Sequence, residues 1–258
     1  MNLSSNSPAT NPRAAVYDNN VYVVWTDNSS KGNGDIIFRK STDKGTTFDI
    51  AENLSNNPGN SVDPHITAFN NNVYVVWTDD TTGKADINFR KSSDYGNNFT
   101  RTINLSGNNG SSVSPQLAAI DKNVYVVWTD DTTGKADINF RKSSDYGIKF
   151  AGERNLSKNL TGSFNPKLAA LDREKLHVTW TGGTNDESEV FFTASGDTGE
   201  HFDTALNLSR SLLASDSVYM AAYQKDVYLV WVEADGGERG GDILFKHVSE
   251  VFFPRNTN

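Results

Sequence analysis

Residues 72–96 read NVYVVWTDDTTGKADINFRKSSDYG, and residues 123–147 repeat them letter for letter, 51 positions later. Exposed positions normally drift because changing them costs little. The shared Lys84 and Lys135, which look solvent-exposed, therefore imply either a recent duplication or side chains held by something. The stretch belongs to a longer series. Trp25, Trp77, Trp128, Trp180 and Trp231 stand 52, 51, 52 and 51 residues apart, and Asn-Leu-Ser begins at Asn2, Asn53, Asn104, Asn155 and Asn207. A fixed period of about 51 residues over the whole chain signals a repeat architecture. The units run approximately over 5–55, 56–106, 107–157, 158–209 and 210–258, the last with residues 1–4, as one domain of 258 residues.

Each unit carries four strand signals. Strand A is short and rich in small apolar residues (RAAVY at 13–17, QLAAI at 116–120, KLAAL at 167–171). Strand B, VYVVWT at 21–26, is β-branched and aromatic on both faces, as a strand buried between layers requires. Strand C is DIIFRKS at 35–41 or DINFRKS at 86–92. Strand D runs from Phe48 or Phe99 to the next Asn-Leu-Ser. No stretch has a sustained 3.6-residue apolar period, so no helix is expected. Tandem four-stranded units of this length predict an all-β, five-bladed β-propeller of four-stranded antiparallel blades. Asn-Leu-Ser precedes the first strand A but elsewhere ends strand D. Residues 1–4 are therefore expected to pair into the fifth blade and close the ring, with residues 251–253 adding to that place or competing for it.

Between strands C and D the units read STDKGTTF (41–48), SSDYGNNF (92–99), SSDYGIKF (143–150) and SGDTGEHF (195–202). The serine hydroxyl and the carboxylates of Asp43, Asp94, Asp145 and Asp197 suit a tight turn as acceptors, and the glycine suits a positive φ. On this motif the chain resembles the sialidase-like Asp-box, or BNR-repeat, propellers across four of its five units. HVSEVFFP at 247–254 keeps only a serine and an aromatic. In that family the Asp box is a structural turn. The resemblance also implies a glycosidase with an arginine triad, a tyrosine–glutamate nucleophile and an aspartate acid/base. The R-I-P signature is missing, the nearest text being NPR at 11–13, and Arg39, Arg90 and Arg141 are one repeated position on three blades. A catalytic centre needs unlike residues converging on one point. The reading is therefore a non-catalytic binding module with a glycan or a protein as ligand; sialidase-type hydrolysis is the alternative.

In an A-B-C-D meander the A–B and C–D turns lie at one end and the long B–C and D–A loops at the other. Binding belongs with the long loops on a rigid scaffold. Aligned on the tryptophans, the residue opening strand A is Arg13, His65, Gln116, Lys167 and Tyr219, different in every unit. The polar positions just before it are Asn11, Asp63, Ser114, Asn165 and Ser217. These residues form the candidate ligand-binding rim. Leu212 and Leu213 are apolar in a D–A loop that is polar elsewhere and are a candidate contact.

Asp79, Asp80 and Asp86 offer oxygens for calcium, but without EF-hand spacing, so a plain turn is the simpler reading and no cofactor is expected. The four histidines are scattered, and no nucleophile elbow, phosphate loop or zinc signature occurs. The net charge of −8, without a lysine/arginine cluster, argues against nucleic acid. The longest apolar runs are far too short to span a bilayer as a helix. There is no cysteine, which excludes disulfides and thiolate metal sites. Nine N-glycosylation sequons occur and could carry glycans in a secreted protein, but the five Asn-Leu-Ser among them are read as strand D chemistry copied with the repeat; the family resemblance and the Asn/Ser/Thr-rich composition point outside the cell. The opening MNLSSNSP has no signal-peptide pattern and reads as the start of a mature or excised domain. A monomer is expected.

Overall fold

The structure is a computed structural model that describes residues 1–5, 7–30, 33–158, 160–183, 188–223, 226–234 and 241–249. Among these, every regular element is a strand. The first sheet holds β1 (Ala9–Tyr17), β2 (Asn20–Ser30), β3 (Asn33–Ser41) and β4 (Glu52–Asn53). The second holds β5 (Ser61–Phe69), β6 (Asn72–Asp79), β7 (Asp86–Ser92) and β8 (Ile103–Asn104). The third holds β9 (Ser112–Ile120), β10 (Asn123–Asp130), β11 (Asp137–Ser143) and β12 (Arg154–Asn155). The fourth holds β13 (Gly162–Ala170), β14 (Leu176–Gly183), β15 (Ser188–Ser195) and β16 (Leu206–Asn207). The fifth holds β17 (Ser215–Tyr223), β18 (Asp226–Ala234) and β19 (Gly241–Val248). In every sheet the strands lie in chain order, which is the meander the repeats predict. The chain divides into two compact units, one of Met1–Gly134 with Asn139–Arg154 and one of Lys135–Ile138 with Asn155–Asn258.

The second strand is the most deeply placed in the second and third sheets. All eight residues of β6 and of β10 are buried. Both faces are covered, which is why Val, Tyr and Trp occupy consecutive rather than alternate positions. In the first unit Tyr22, Val24, Ile36 and Phe38 of the first sheet cluster with Val73, Val75 and Trp77 of the second. Tyr74, Val76, Ile87 and Phe89 cluster in the same way with Val124, Val126 and Trp128 of the third. The aromatic that ends the S-x-D-x-G-x-x-F turn caps the preceding sheet: Phe99 lies edge-on to Phe38 and Phe150 edge-on to Phe89, both at 5.0 Å.

Three elements differ from the sequence reading. Strand D is only two residues long in sheets one to four, because the chain after each turn touches strand C mainly through single bonds such as Thr100 N–H to Lys91 C=O (2.8 Å) before the short pairing begins. Strand A is longer than expected. It starts four or five residues earlier and contains a register shift, between Thr10 and Arg13 in β1 and between Val62 and His65 in β5. Residues 1–4, expected to close the ring as a strand, belong to no strand, and the fifth sheet has three strands among the described residues. Residues 251–253 lie outside the described residues.

Candidate functional site

The register shift in strand A is a bulge, and the same one recurs in all five sheets. Its first residue is left-handed each time: Asn11 (φ 52°), Asp63 (51°), Ser114 (56°), Asn165 (53°) and Ser217 (54°). Asn and Asp tolerate this region better than most residues, and Ser is the remaining choice here. Proline follows in the first four units and Val218 in the fifth. A proline lacks the N–H that a regular ladder would demand, so it is at home in a bulge. Pro64, Pro115, Pro166 and Val218 are buried. The bulge twists the strand and re-aims the residue that follows it. That residue is Arg13, His65, Gln116, Lys167 or Tyr219, so each candidate rim residue sits one step beyond an identical backbone kink. Arg13 pairs with Val24 and His65 with Val76, next to Trp25 and Trp77, which places the bulges toward the B–C loops.

Within the first unit the side-chain amide of Asn11 donates to the carboxylate of Asp63. The Arg13 guanidinium donates to the Pro12 carbonyl of its own bulge (3.3 Å) and is exposed. His65, Asp63 and Gln116 are half-buried. Within the second unit the Lys167 ammonium stands 5.7 Å from the centroid of the Tyr219 ring, a cation–π approach, and also reaches the Asn165 carbonyl (3.5 Å). Tyr219 is exposed. Leu212 is 94% exposed in its loop. Each unit thus presents its own row of unlike polar groups on one repeated scaffold position.

Behind the bulges lies a set of contacts that the sequence reading missed. Asp79, buried, accepts from Asn57 Nδ2 (2.6 Å), Ser61 Oγ (2.7 Å), Trp77 Nε1 (3.1 Å) and the Thr81 amide (3.1 Å). One carboxylate therefore ties together the D–A loop, the start of strand A, strand B and the B–C loop. Asp130 repeats this with Asn108, Ser112, Trp128 and Thr132. Burial by itself would raise the pKa of both aspartates, but the hydrogen bonds outweigh it and hold them below the usual carboxylate range. Asp86 accepts from Thr82 Oγ1 (2.8 Å) and Ser106 Oγ (3.1 Å). The acidic loop positions considered for calcium thus serve as hydrogen-bond acceptors for the loop itself. No group of three or more metal-ligating His, Asp or Glu side chains occurs among the described residues. The lysines of the verbatim repeat are tied down as well. Lys84 Nζ is 3.5 Å from Asp86, and Lys135 Nζ donates to the Lys158 and Leu160 carbonyls (2.9 and 2.6 Å).

The S-x-D-x-G-x-x-F turns lie at the opposite end. Ser41 Oγ donates to Asp43 (2.7 Å) and accepts from the Gly45 amide (2.8 Å), while Asp43 accepts from the Thr47 amide (2.8 Å) and hydroxyl (2.6 Å). The Thr47 hydroxyl and amide, with Ser41, bring the Asp43 pKa down to about 2, and Asn98 and Ser92 bring Asp94 to about 2. Asp145 and Asp197 accept from the amides of Lys149 (2.9 Å) and His201 (2.8 Å) in the same way. Each turn also leans on the A–B turn of its own sheet, as in Tyr95 N–H to Asn71 C=O (2.8 Å). All of these carboxylates are spent on their own turns.

The repeated strand C arginines stand apart from the bulges. Arg39 and Arg90 lie on the third strand of their sheets, paired with Val23 and Val75, whereas the bulges are on the first strand. Arg90 donates to Thr102 Oγ1 (3.0 Å) and lies beside Glu52. In the second unit a groove of about 180 Å³ runs along β16 and β19, lined by Phe192, Leu206, Leu208, Arg210, Lys246 and Val248, away from the bulges.

No family model matches the chain, and no curated protein matches it by sequence. Solved structures do resemble it. The NanB sialidase of Streptococcus pneumoniae aligns with a TM-score of 0.63 at 10% identity over 96% of this chain and 60% of its own. An ulvan lyase, a polysaccharide lyase, aligns at 0.63 with 14% identity over 94% of this chain and 65% of its own. The endo-arabinase of Bacteroides thetaiotaomicron aligns at 0.53 with 16% identity over 95% of each chain. The chain spans less than two thirds of the length of the sialidase and of the lyase. Identities this low speak for the fold alone. The five antiparallel sheets are those of a sialidase-like β-propeller.

Proposed function

We propose that this protein is directed at carbohydrate, and that it engages a glycan through the side chains mounted on the strand A bulges. In this reading the five sheets are successive blades of one domain that works outside the cell or at its surface. The observation that carries it is the bulge itself. An identical left-handed kink in five strands holds five unlike polar side chains, Arg13, His65, Gln116, Lys167 and Tyr219. A scaffold that repeats its backbone and varies only what it displays is the arrangement expected of a recognition surface. Arg13, Lys167 and His65 supply donors for hydroxyl and carboxylate oxygens, Asp63 and Gln116 supply acceptors, and the exposed Tyr219 ring offers a stacking face.

A second reading is glycoside hydrolysis of the sialidase type, and the fold likeness favours it, since the neighbours named are a sialidase, a lyase and an endo-arabinase. Sialidase-type chemistry departs from the usual pair of carboxyl groups by using a tyrosine nucleophile, but it still needs a carboxyl acid/base. Asp63 is the carboxylate in the bulge row of the first unit. A glycan array combined with a panel of fluorogenic sialosides and arabinosides separates the two readings. Binding that falls at least tenfold in His65→Ala and Lys167→Ala without turnover supports recognition. Turnover lost in Asp63→Asn establishes hydrolysis. Neither binding nor turnover on any glycan would sink the carbohydrate assignment.

A further inference from the structure

Strand B closes on an acid in four of the five sheets. The text is Trp-Thr-Asp at 25–27, 77–79 and 128–130 and Trp-Val-Glu at 231–233, but Trp-Thr-Gly at 180–182 in the fourth sheet. The acid has a fixed task. Asp79 stands across the ladder from Ser61, Asp130 from Ser112 and Glu233 from Ser215. Each carboxylate accepts from its serine hydroxyl (2.7, 2.7 and 3.4 Å). In the second and third sheets the same oxygen also accepts the indole N–H of the tryptophan two residues earlier (3.1 Å from Trp77, 3.4 Å from Trp128). In the first sheet Asp27 accepts from Ser7 Oγ (2.7 Å) and the Ser29 amide (2.9 Å).

The fourth sheet keeps the donors and changes the acid to glycine. Ser163 stands opposite Gly182 in the same register, and Trp180 holds the place of Trp77. Both side chains are 0% exposed. Among the described residues, neither Ser163 Oγ nor Trp180 Nε1 has a hydrogen-bond partner. Buried polar groups are nearly always hydrogen-bonded, and a donor left unpaired bears its full desolvation cost. Glu189, across the ladder from Gly182 on the other side, is turned to Ser209 Oγ and the Ser211 amide (3.2 Å). A positive charge reaches the same loop, because the Lys135 ammonium donates to the Leu160 carbonyl (2.6 Å). Leu160 Cδ1 in turn would lie 3.1 Å from a Cβ on Gly182.

We propose that Ser163 and Trp180 bind a small monocarboxylate of the size of formate, in the role that the Asp79 carboxylate has in the second sheet. The size follows from the crowding at Gly182. A Cβ there would meet the Gly162 carbonyl, Leu160 Cδ1 and Ser163 Oγ, all at 3.1 Å, so the methylene of an aspartate is the part that fits worst. Formate offers the same two oxygens without it, and acetate puts a methyl group back. The negative charge makes each bond stronger than one to a neutral acceptor such as water. The bound anion ties strand A to strand B just ahead of the bulge that carries Lys167, as Asp79 does ahead of His65. The site rests on the unpaired donors and is independent of the glycan reading.

The test is a formate titration of the whole chain, read on the Trp180 indole N–H signal by nuclear magnetic resonance, with thermal melts at constant ionic strength. Formate should move the Trp180 signal downfield and saturably, and leave the other four indole signals in place. At tenfold excess over its dissociation constant it should raise Tm by at least about 3 °C. Acetate should bind more weakly, and galacturonate, which carries its carboxylate on a sugar ring, should not move the signal. Ser163→Ala should weaken formate about tenfold or more. Gly182→Asp, which supplies its own carboxylate, should lose the response altogether, and Ser163→Ala keeps the test open if that variant does not fold. A Trp180 signal that ignores formate throughout the titration overturns the proposal, as it would if water satisfied both donors. So does an equal response to chloride, an undiminished response in Ser163→Ala, or a shift with galacturonate and none with formate.

Discussion

Phe89 and Phe245 occupy the same position in strands of the same pattern, one in the second sheet and one in the fifth. Phe89 is fully buried, stacked 6.2 Å from Tyr74 and capped at 5.0 Å by Phe150. Phe245 keeps the equivalent stacking on Tyr228 (6.4 Å) but is 63% exposed. The intra-sheet contact is set by strand register and is the same in both. What differs is whether another sheet lies on top. In this chain, burial is a property of a sheet's neighbour more than of its own sequence.

The largest effect should come from testing that contrast directly. Phe89→Ala empties a site closed on both sides and should cost about 3–5 kcal/mol. Phe245→Ala in dilute protein should cost less than about 1 kcal/mol, since little contact is lost there. Denaturant midpoints at constant slope read both, and equal losses would mean that the face of the fifth sheet is covered in solution.

A second contrast lies at the strand B position of Tyr22, Tyr74 and Tyr125, which in the fourth sheet is His177. Burial, helped by the nearby Lys175, lowers the His177 pKa from 6.5 to about 4. Between these values the unfolded chain binds a proton that the folded chain refuses. Stability should therefore fall as pH drops from about 6.5 to about 4, by about 3 kcal/mol from this residue. His177→Tyr, which copies the other sheets, should flatten that slope in melts taken across the range. A slope unchanged by the substitution would show that the histidine titrates normally.

The smallest contrast concerns two glycines in equivalent turns. A Cβ on Gly96 would stand 2.9 Å from the Phe38 ring, with φ at 75°. A Cβ on Gly45, φ 85°, would find nothing closer than the Val21 side chain at 3.9 Å. Both alanine variants incur the cost of a left-handed residue, about 1–2 kcal/mol. Gly96→Ala adds overpacking of about 1–3 kcal/mol. Equal melting temperatures for the two variants would mean that the turn moves away from the first sheet.

Much of this was legible in the letters. The 51-residue period gave the sheet count and strand order, because a meander repeats its polar turns and its buried strand B. The glycines of the S-x-D-x-G-x-x-F turns announced a positive φ, though Lys44, Tyr95, Tyr146 and Thr198 before them are left-handed too. The strand A bulge was hidden, since Asn-Pro and Asp-Pro read as the end of a loop when they are a kink inside a strand. The candidate rim residues were singled out by their variation among repeats, but the bulge beside them was not foreseen. Asp79 was read as one acid of a plain polar turn, with calcium as the lesser alternative. Its actual role depends on Asn57, Ser61 and Trp77 arriving from three other segments, and spacing along the chain carries no trace of that.

The sequence by itself determined the repeat, the strand order and the glycine turns, because these depend on residues a few positions apart. Only the tertiary structure decided which faces are covered. Residues 72–96 and 123–147 are identical and equally enclosed, while the fifth sheet follows the same pattern and presents Ile243 and Phe245 to solvent. Apolar side chains drive association wherever a partner surface is in reach, and whether one is in reach is a matter of position in space.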